Sequence, residues 1–173
     1  MTDTEAPVLS AERTDLLEAL AKQRYFLRYT LRDLSDEQAA LAPTASELCL
    51  GGLIKHVAET EEMWMNFAVG GAGAMSNDDW NQDSWNTRFQ MGQTDTLESL
   101  FSEYDRVAAR TDELLASLPD LGAAHPLPEA PWFEAGASWS VRRVILHVIA
   151  ETAQHCGHAD VIRETIDGAK SMG

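Results

Sequence analysis

The sequence of 173 residues predicts an all-α fold, a four-helix bundle forming a single domain over residues 1–173. Three observations carry that reading. Apolar residues recur at helical spacing in four segments of bundle length. No stretch alternates apolar and polar residues strongly enough to compete as a strand. Glycine and proline close the segments, leaving long loops between helices two and three and between helices three and four. One domain also suits the length, since roughly 100 to 200 residues bury a single core.

The first helix starts near Ser10, a residue type that caps helix N-termini. Leu16, Leu20, Leu27, Leu31 and Leu34 follow at intervals of 4, 7, 4 and 3, which is one helix face. Ser35-Asp36-Glu37-Gln38 has the S-x-x-Q form of a capping box and predicts a short helical turn, broken by Pro43. The second helix is expected from Gly51-Gly52 to Gly70-Gly71. Leu53, Val57, Trp64 and Ala68 form its stripe, with His56, Thr60, Met63 and Phe67 beside it. Residues 70–94 make a loop rich in Gly, Asn, Asp and Trp, long enough to raise a lid-like role. The third helix is expected to cap near Asp95, with Glu98 three residues on, and to run through Leu97, Leu100, Phe101, Tyr104, Val107, Thr111, Leu114 and Leu118 to Pro119. Residues 122–138 read as irregular, with three prolines beside Trp132 and Phe133. The fourth helix caps at Ser140 and reaches Ile166, where Gly168 stops it. Its stripe is Val141, Ile145, Val148, Thr152, His155, Ala159 and Ile162, at alternating steps of 4 and 3.

Charge and composition remove several function classes. The 28 acidic residues outnumber the 13 Lys and Arg, so the net charge is −15 with the five histidines neutral. Binding a phosphate backbone needs clustered cations that release counterions, so nucleic acid is an unsuitable partner. Anionic membrane surfaces are disfavoured for the same reason. No apolar run approaches the roughly 20 residues of a spanning helix. The first residues, Met1-Thr2-Asp3-Thr4-Glu5-Ala6-Pro7, lack the basic-then-apolar pattern of a signal peptide. Cys49 and Cys156 lie far apart and form neither a CxxC pair nor a disulfide framework. A soluble, cytoplasmic protein is the expectation.

The chemistry is concentrated on the fourth helix. Between Leu146 and Asp160 stand three histidines, a Glu and an Asp. At about 100° per residue, with Val148 as the stripe centre, His155 lies roughly 20° away, Glu151 roughly 60°, His158 roughly 80° and His147 roughly 100°. Glu151 and His155, one turn apart, therefore face the core together, and His147 and His158 sit on its margin. A buried carboxylate needs a partner, because desolvating it alone costs several kcal/mol. A Glu and a His four residues apart on an inward face are spaced to offer two metal ligands. His56 on the second helix is the candidate third, and His125 falls in the proline-rich loop. Three N and O donors would leave a position open for water or a thiol. The plainer reading is also open: a histidine on an apolar face is commonly a hydrogen-bonded core residue, and Glu151 and His155 can pair with each other or with Arg142, Arg143 or Arg163 without chemistry.

Two blocks carry a family resemblance. Leu50-Gly51-Gly52-Leu53-Ile54-Lys55-His56-Val57-Ala58-Glu59 resembles the second-helix block of the DinB-like superfamily, and His147 to Glu164 is similar to its last-helix block. The likeness is to the actinobacterial branch related to mycothiol-dependent S-transferases and mycothiol-dependent maleylpyruvate isomerase. It spans nearly the whole chain, including Ser35–Gln38 and the terminal Ile166-Asp167-Gly168. The resemblance implies a four-helix bundle of up-down-down-up type holding one divalent metal, zinc or nickel. Carried over position by position, the metal ligands are His56, Glu151 and His155. Many DinB-like proteins have His where this chain has Glu151, whereas the isomerase branch has Glu, which points to the thiol-using branch. His147 and His158 also match motif positions, and His158 is the substitute ligand.

The implied activity is a metal-dependent thiol S-transferase, with mycothiol as co-substrate and a metal-bound thiolate attacking a small electrophile. A free thiol of pKa near 8.5 is mostly protonated at neutral pH, and coordination to a dication removes its proton. His158 and Glu59 are candidate proton shuttles. Arg142 and Arg163, with Arg143, are candidates to bind a carboxylate or the sugar-linked thiol, against the plainer reading that they pair with the many acids. Two other classes stand beside this one: a hydrolase activating water at the same metal, and a non-enzymatic bundle that sequesters a ligand or forms a homodimer. Cys156 reads as a packing residue, and Cys49 has no neighbouring base in the sequence. Trp80, Trp85, Trp132 and Phe133 form either a lid or a plug, and Trp139 reads as plug.

Overall fold

Ser10, Ser35, Cys49, Thr96 and Ser140 each accept, through the side chain, a hydrogen bond from the backbone N–H three residues on. Each satisfies one of the donors a helix leaves unpaired at its start, and a helix follows each. In the computed structural model, which describes residues 9–75 and 87–172, these are α1 (Ala11–Thr30), α2 (Asp36–Ala39), α3 (Leu50–Gly70), α4 (Leu97–Ser117) and α5 (Val141–Asp167). A 3₁₀ turn, Ala72–Ala74, follows α3. Trp80 and Trp85 lie outside the described residues. No helix among the described residues is long and apolar enough to cross a membrane.

The predicted boundaries hold at Ser10, at the Ser35–Gln38 capping box, at Ser140 and at Gly168, which ends α5 in the left-handed conformation (φ 78°). Two expectations are corrected. The cap of α4 is Thr96, boxed with Ser99, and not Asp95 with Glu98. Asp95 instead accepts from Gly92 N at 2.7 Å and Lys55 Nζ at 3.3 Å, so its carboxylate was already engaged outside the helix. The stretch 122–138 is not wholly irregular: β1 (Ala124–Pro126) pairs antiparallel with β2 (Ser138–Ser140), His125 opposite Trp139. Ser140 is both the end of β2 and the cap of α5. The hairpin thus fixes where α5 begins and sets Trp139 against its first turn.

The four long helices pack around a common core, α5 against α1 and α3, α4 against α3 and α1. Apolar residues form two clusters. One holds Leu27, Leu53, Ile54, Tyr104 and Ile162, the other Leu20, Trp64, Phe67, Leu115 and Ile145. Burying each such side chain contributes about 1.5–3 kcal/mol. Along every long helix a buried polar residue falls between the two clusters: Arg24 on α1, Thr60 and Glu61 on α3, Thr111 on α4, Thr152 on α5. This polar layer includes an ion network in which Arg24 donates to both Glu61 oxygens and to Asp112 Oδ1 at 2.9 Å, tying α1 to α3 and α4.

Candidate metal centre

His56, Thr60 and Trp64 lie at successive turns of α3, and His147, Glu151 and His155 at successive turns of α5. The helices pass so that His56 meets His155, ring centroids 4.7 Å apart, while Trp64 meets His147 at 4.9 Å. His56, Glu151 and His155 each present a donor atom, and these atoms all lie within 4.8 Å of one another. Glu151 is clasped from both sides along its own helix: Oε2 is 3.7 Å from His155 Nε2 and Oε1 3.9 Å from His147 Nε2. His158 closes the row, its Nδ1 3.3 Å from His155 Nδ1.

The electrostatics keep His56 and His147 available as lone-pair donors. Burial pushes the His56 pKa down to about 3, aided by His155 and the Arg88 guanidinium and opposed by Glu151. Burial also lowers that of His147, against the pull of Glu151. His155, whose Nε2 lies beside Oε2, holds the Glu151 carboxyl below its ordinary range despite partial burial, so it is a carboxylate at neutral pH.

His56 Nδ1 is buried and makes no hydrogen bond, while Nε2 lies 3.5 Å from Thr60 Oγ1. A buried polar atom left so is costly and marks a place where a partner belongs. Two imidazoles and one carboxylate suit a divalent cation of the zinc or nickel kind, so the donor set fits such an ion.

The donors form one wall of a cavity of about 500 Å³. The facing wall is aromatic: Trp139 stacks on Trp64 at 4.7 Å, and Phe133 meets both edge-on. Arg143 covers the Trp139 ring at 4.3 Å. Phe89 backs the donors, 4.2 Å from the His56 ring and 5.8 Å from that of His155. It reaches them because Gly52 has no side chain: a Cβ there would overlap the Phe89 carbonyl.

The structure distributes the other sequence candidates differently. His147 and His158 line the cavity. Glu59 is exposed on α3, facing a separate shallow cleft with Lys55 and Asp95. Arg142 pairs with Glu12 at the surface. Arg163 is buried and donates to the Thr30 and Arg32 carbonyls at 2.7 Å and to Asp167 at 2.8 Å, which anchors the end of α5. Neither Arg142 nor Arg163 lines the cavity. Cys156 donates to the Gln23 carbonyl, and burial pushes its thiol up to about 11, a packing role. Trp139 seals and lines at once, and Trp132 sits 58% exposed at the cavity. Arg88, Phe89 and Gln154 line the cavity without any sequence signal; the first two sit in a loop with no periodicity to read.

These features define a mainly helical protein in which two histidines and a glutamate that could hold a metal ion line a half-aromatic cavity. The chain belongs to the mycothiol S-transferase family, whose match runs over residues 15–168 and so covers every donor. No curated protein matches the chain.

Proposed function

We propose that the protein is a metal-dependent thiol S-transferase that joins mycothiol to a small, apolar electrophile. The observation that carries this reading is the convergence of His56, Glu151 and His155 on one wall of a cavity whose other wall is aromatic. Family membership supports the transferase class and the thiol. Arg28 meets Asp105 and Arg13 meets Leu118, Glu12 meets Arg142 and Thr30 meets Asp160, and His56 meets His155 and Trp64 meets His147, pairings that fit an up-down-down-up course.

The His56 and His155 imidazoles and the Glu151 carboxylate would hold the zinc or nickel ion. A dication held there would supply Lewis acidity, lowering the pKa of a thiol that is otherwise near 8.5 and mostly protonated at neutral pH. The chain's own residues do the rest. Glu151 stays ionised between His147 and His155 and offsets the cation's charge. Phe89 covers the His56 and His155 rings, which are buried, and limits water on that side of the donors. The aromatic wall offers the electrophile's apolar body a surface beside the donors, which brings its carbon near the thiol. One C–S bond forms: either the leaving group departs with its electron pair and the thiol's proton is released to solvent, or the electrophile's double bond takes up that proton.

The test uses the full chain stripped by chelator and reloaded with Zn²⁺ or Ni²⁺, with mycothiol and a fluorogenic alkylating electrophile. Turnover is expected to need both metal and thiol and to fall at least about 100-fold in His155→Ala. Turnover of an ester or amide without thiol would replace the transferase with a hydrolase. Absence of metal uptake by the wild-type chain would remove the proposal.

A further inference from the structure

His155 uses both ring nitrogens. Its Nε2 lies 3.7 Å from Glu151 Oε2, and its Nδ1 lies 3.3 Å from His158 Nδ1. Two imidazole nitrogens at hydrogen-bond distance share one proton, one ring donating and the other accepting. The nitrogen that serves a cation must offer a lone pair, and Nε2 is the one on the Glu151 side. The proton of neutral His155 therefore sits on Nδ1 and is donated to His158. Among the described residues no other hydrogen bond to His155 Nδ1 is made, so this tautomer depends on His158 alone.

We propose that His158 is a positioning residue: its Nδ1 lone pair holds His155 in the Nδ1–H tautomer, with Nε2 aimed at the space shared with His56 and Glu151. The inference rests on the metal centre proposed above. It also fixes His158 itself. A neutral ring that accepts at Nδ1 carries its proton on Nε2, so His158 offers the cavity a hydrogen-bond donor. A base for the thiol's proton is then not available from that ring. Position supports the role. His158 is one turn beyond His155 on α5, its ring 5.3 Å away and tilted 57°, half-buried where a side chain can be exchanged without opening the core. Metal-bound histidines commonly donate their second N–H to a carboxylate, carbonyl or water, and losing that acceptor weakens metal binding roughly 10- to 100-fold. Here the acceptor is a second imidazole.

The experiment measures Zn²⁺ affinity of the full chain by competition with a chromophoric chelator, alongside the Co²⁺ d–d spectrum. His158→Ala is expected to bind Zn²⁺ about 10- to 100-fold more weakly. His158→Asn and His158→Asp, whose Oδ1 stands where Nδ1 stood and accepts, are expected to recover most of that loss. The Co²⁺ spectrum of His158→Asn should match the wild type, because the ligand set is unchanged. Wild-type affinity in His158→Ala, failure of both acceptor variants to improve on Ala, or an altered Co²⁺ spectrum in His158→Asn would each overturn the role; the last would make His158 a ligand. A variant-free check is the long-range ¹⁵N–¹H correlation of histidine-labelled, Zn²⁺-loaded protein. It should place protons on His155 Nδ1 and His158 Nε2, and a proton on His158 Nδ1 refutes the assignment. No Zn²⁺ uptake by the wild type would instead strike the metal centre, and this inference with it.

Discussion

Replacing His56 with Leu isolates what burial does to that ring. In the metal-free protein the His56 pKa falls from its ordinary 6.5 to about 3. Above pH 6.5 the ring is neutral folded or unfolded, so it makes no pH-dependent contribution. Below 6.5 the unfolded chain takes up a proton that the folded chain refuses. Stability is therefore lost as pH falls from 6.5 toward 3, at about 1.4 kcal/mol per pH unit. Between pH 7 and pH 5 the ring passes through about 1.5 units of that window, a loss of about 2 kcal/mol, or about 4–8 °C in melting temperature for a chain of this size. His56→Leu removes this loss and leaves other pH-dependent losses, including the one from His147, in place. The assay is urea unfolding followed by circular dichroism, with chelator present, for both proteins at both pH values. The wild type should lose about 2 kcal/mol more than the variant on going to pH 5. Equal losses would refute the claim that His56 is held neutral by burial.

Three further outcomes follow from the same contacts. Arg24→Met strands the Glu61 carboxylate, 0% exposed, and should cost about 3–5 kcal/mol by denaturant unfolding, whereas Arg24→Met combined with Glu61→Leu should recover most of it. Failure of the double variant to recover would mean that the layer is needed for more than charge balance. Gly52→Ala forces Phe89 away from the His56 ring and should lower both melting temperature and Zn²⁺ affinity, while Gly73→Ala, where a Cβ meets nothing, should change neither. Trp139→Ala should raise KM for an aromatic electrophile about tenfold, equivalent to about 1.4 kcal/mol, and leave that for a small aliphatic one near wild type. Equal effects on both would show that the wall is structural only.

What sequence could and could not reveal divides along physical lines. The long helices were legible because periodicity and caps are local: Ser35, Ser140 and Gly168 act within a few residues of themselves. The inward aim of Glu151 and His155 was legible for the same reason, since 100° per residue is enough to place them. The hairpin was not, because three-residue strands, one ending in Pro126, are too short to show alternation. Nor were the arginines separable into cavity and structural groups. The partner of Arg142 is Glu12 and those of Arg163 include Thr30 and Arg32, about 130 residues away along the chain in each case. Glu61 is the sharpest omission. It stands in an acidic run, Glu59, Glu61 and Glu62, where nothing local marks the middle one as buried, and only the approach of Arg24 from α1 explains it.

His56 and Glu61 are five residues apart on α3, so their side chains leave the helix roughly 140° apart. One side is held to α1 and α4 by charge, while the other faces α5 and the donors. A helix restrained on only one side can roll in its groove by many degrees without unfolding. A helix restrained on two nearly opposed sides cannot roll without breaking a buried ion pair. The angle at which His56 meets the donors of α5 is thereby narrowed from outside the site. If the proposed centre holds a cation, the spacing of its donors then depends partly on Arg24, a residue on the far side of the helix that touches none of them.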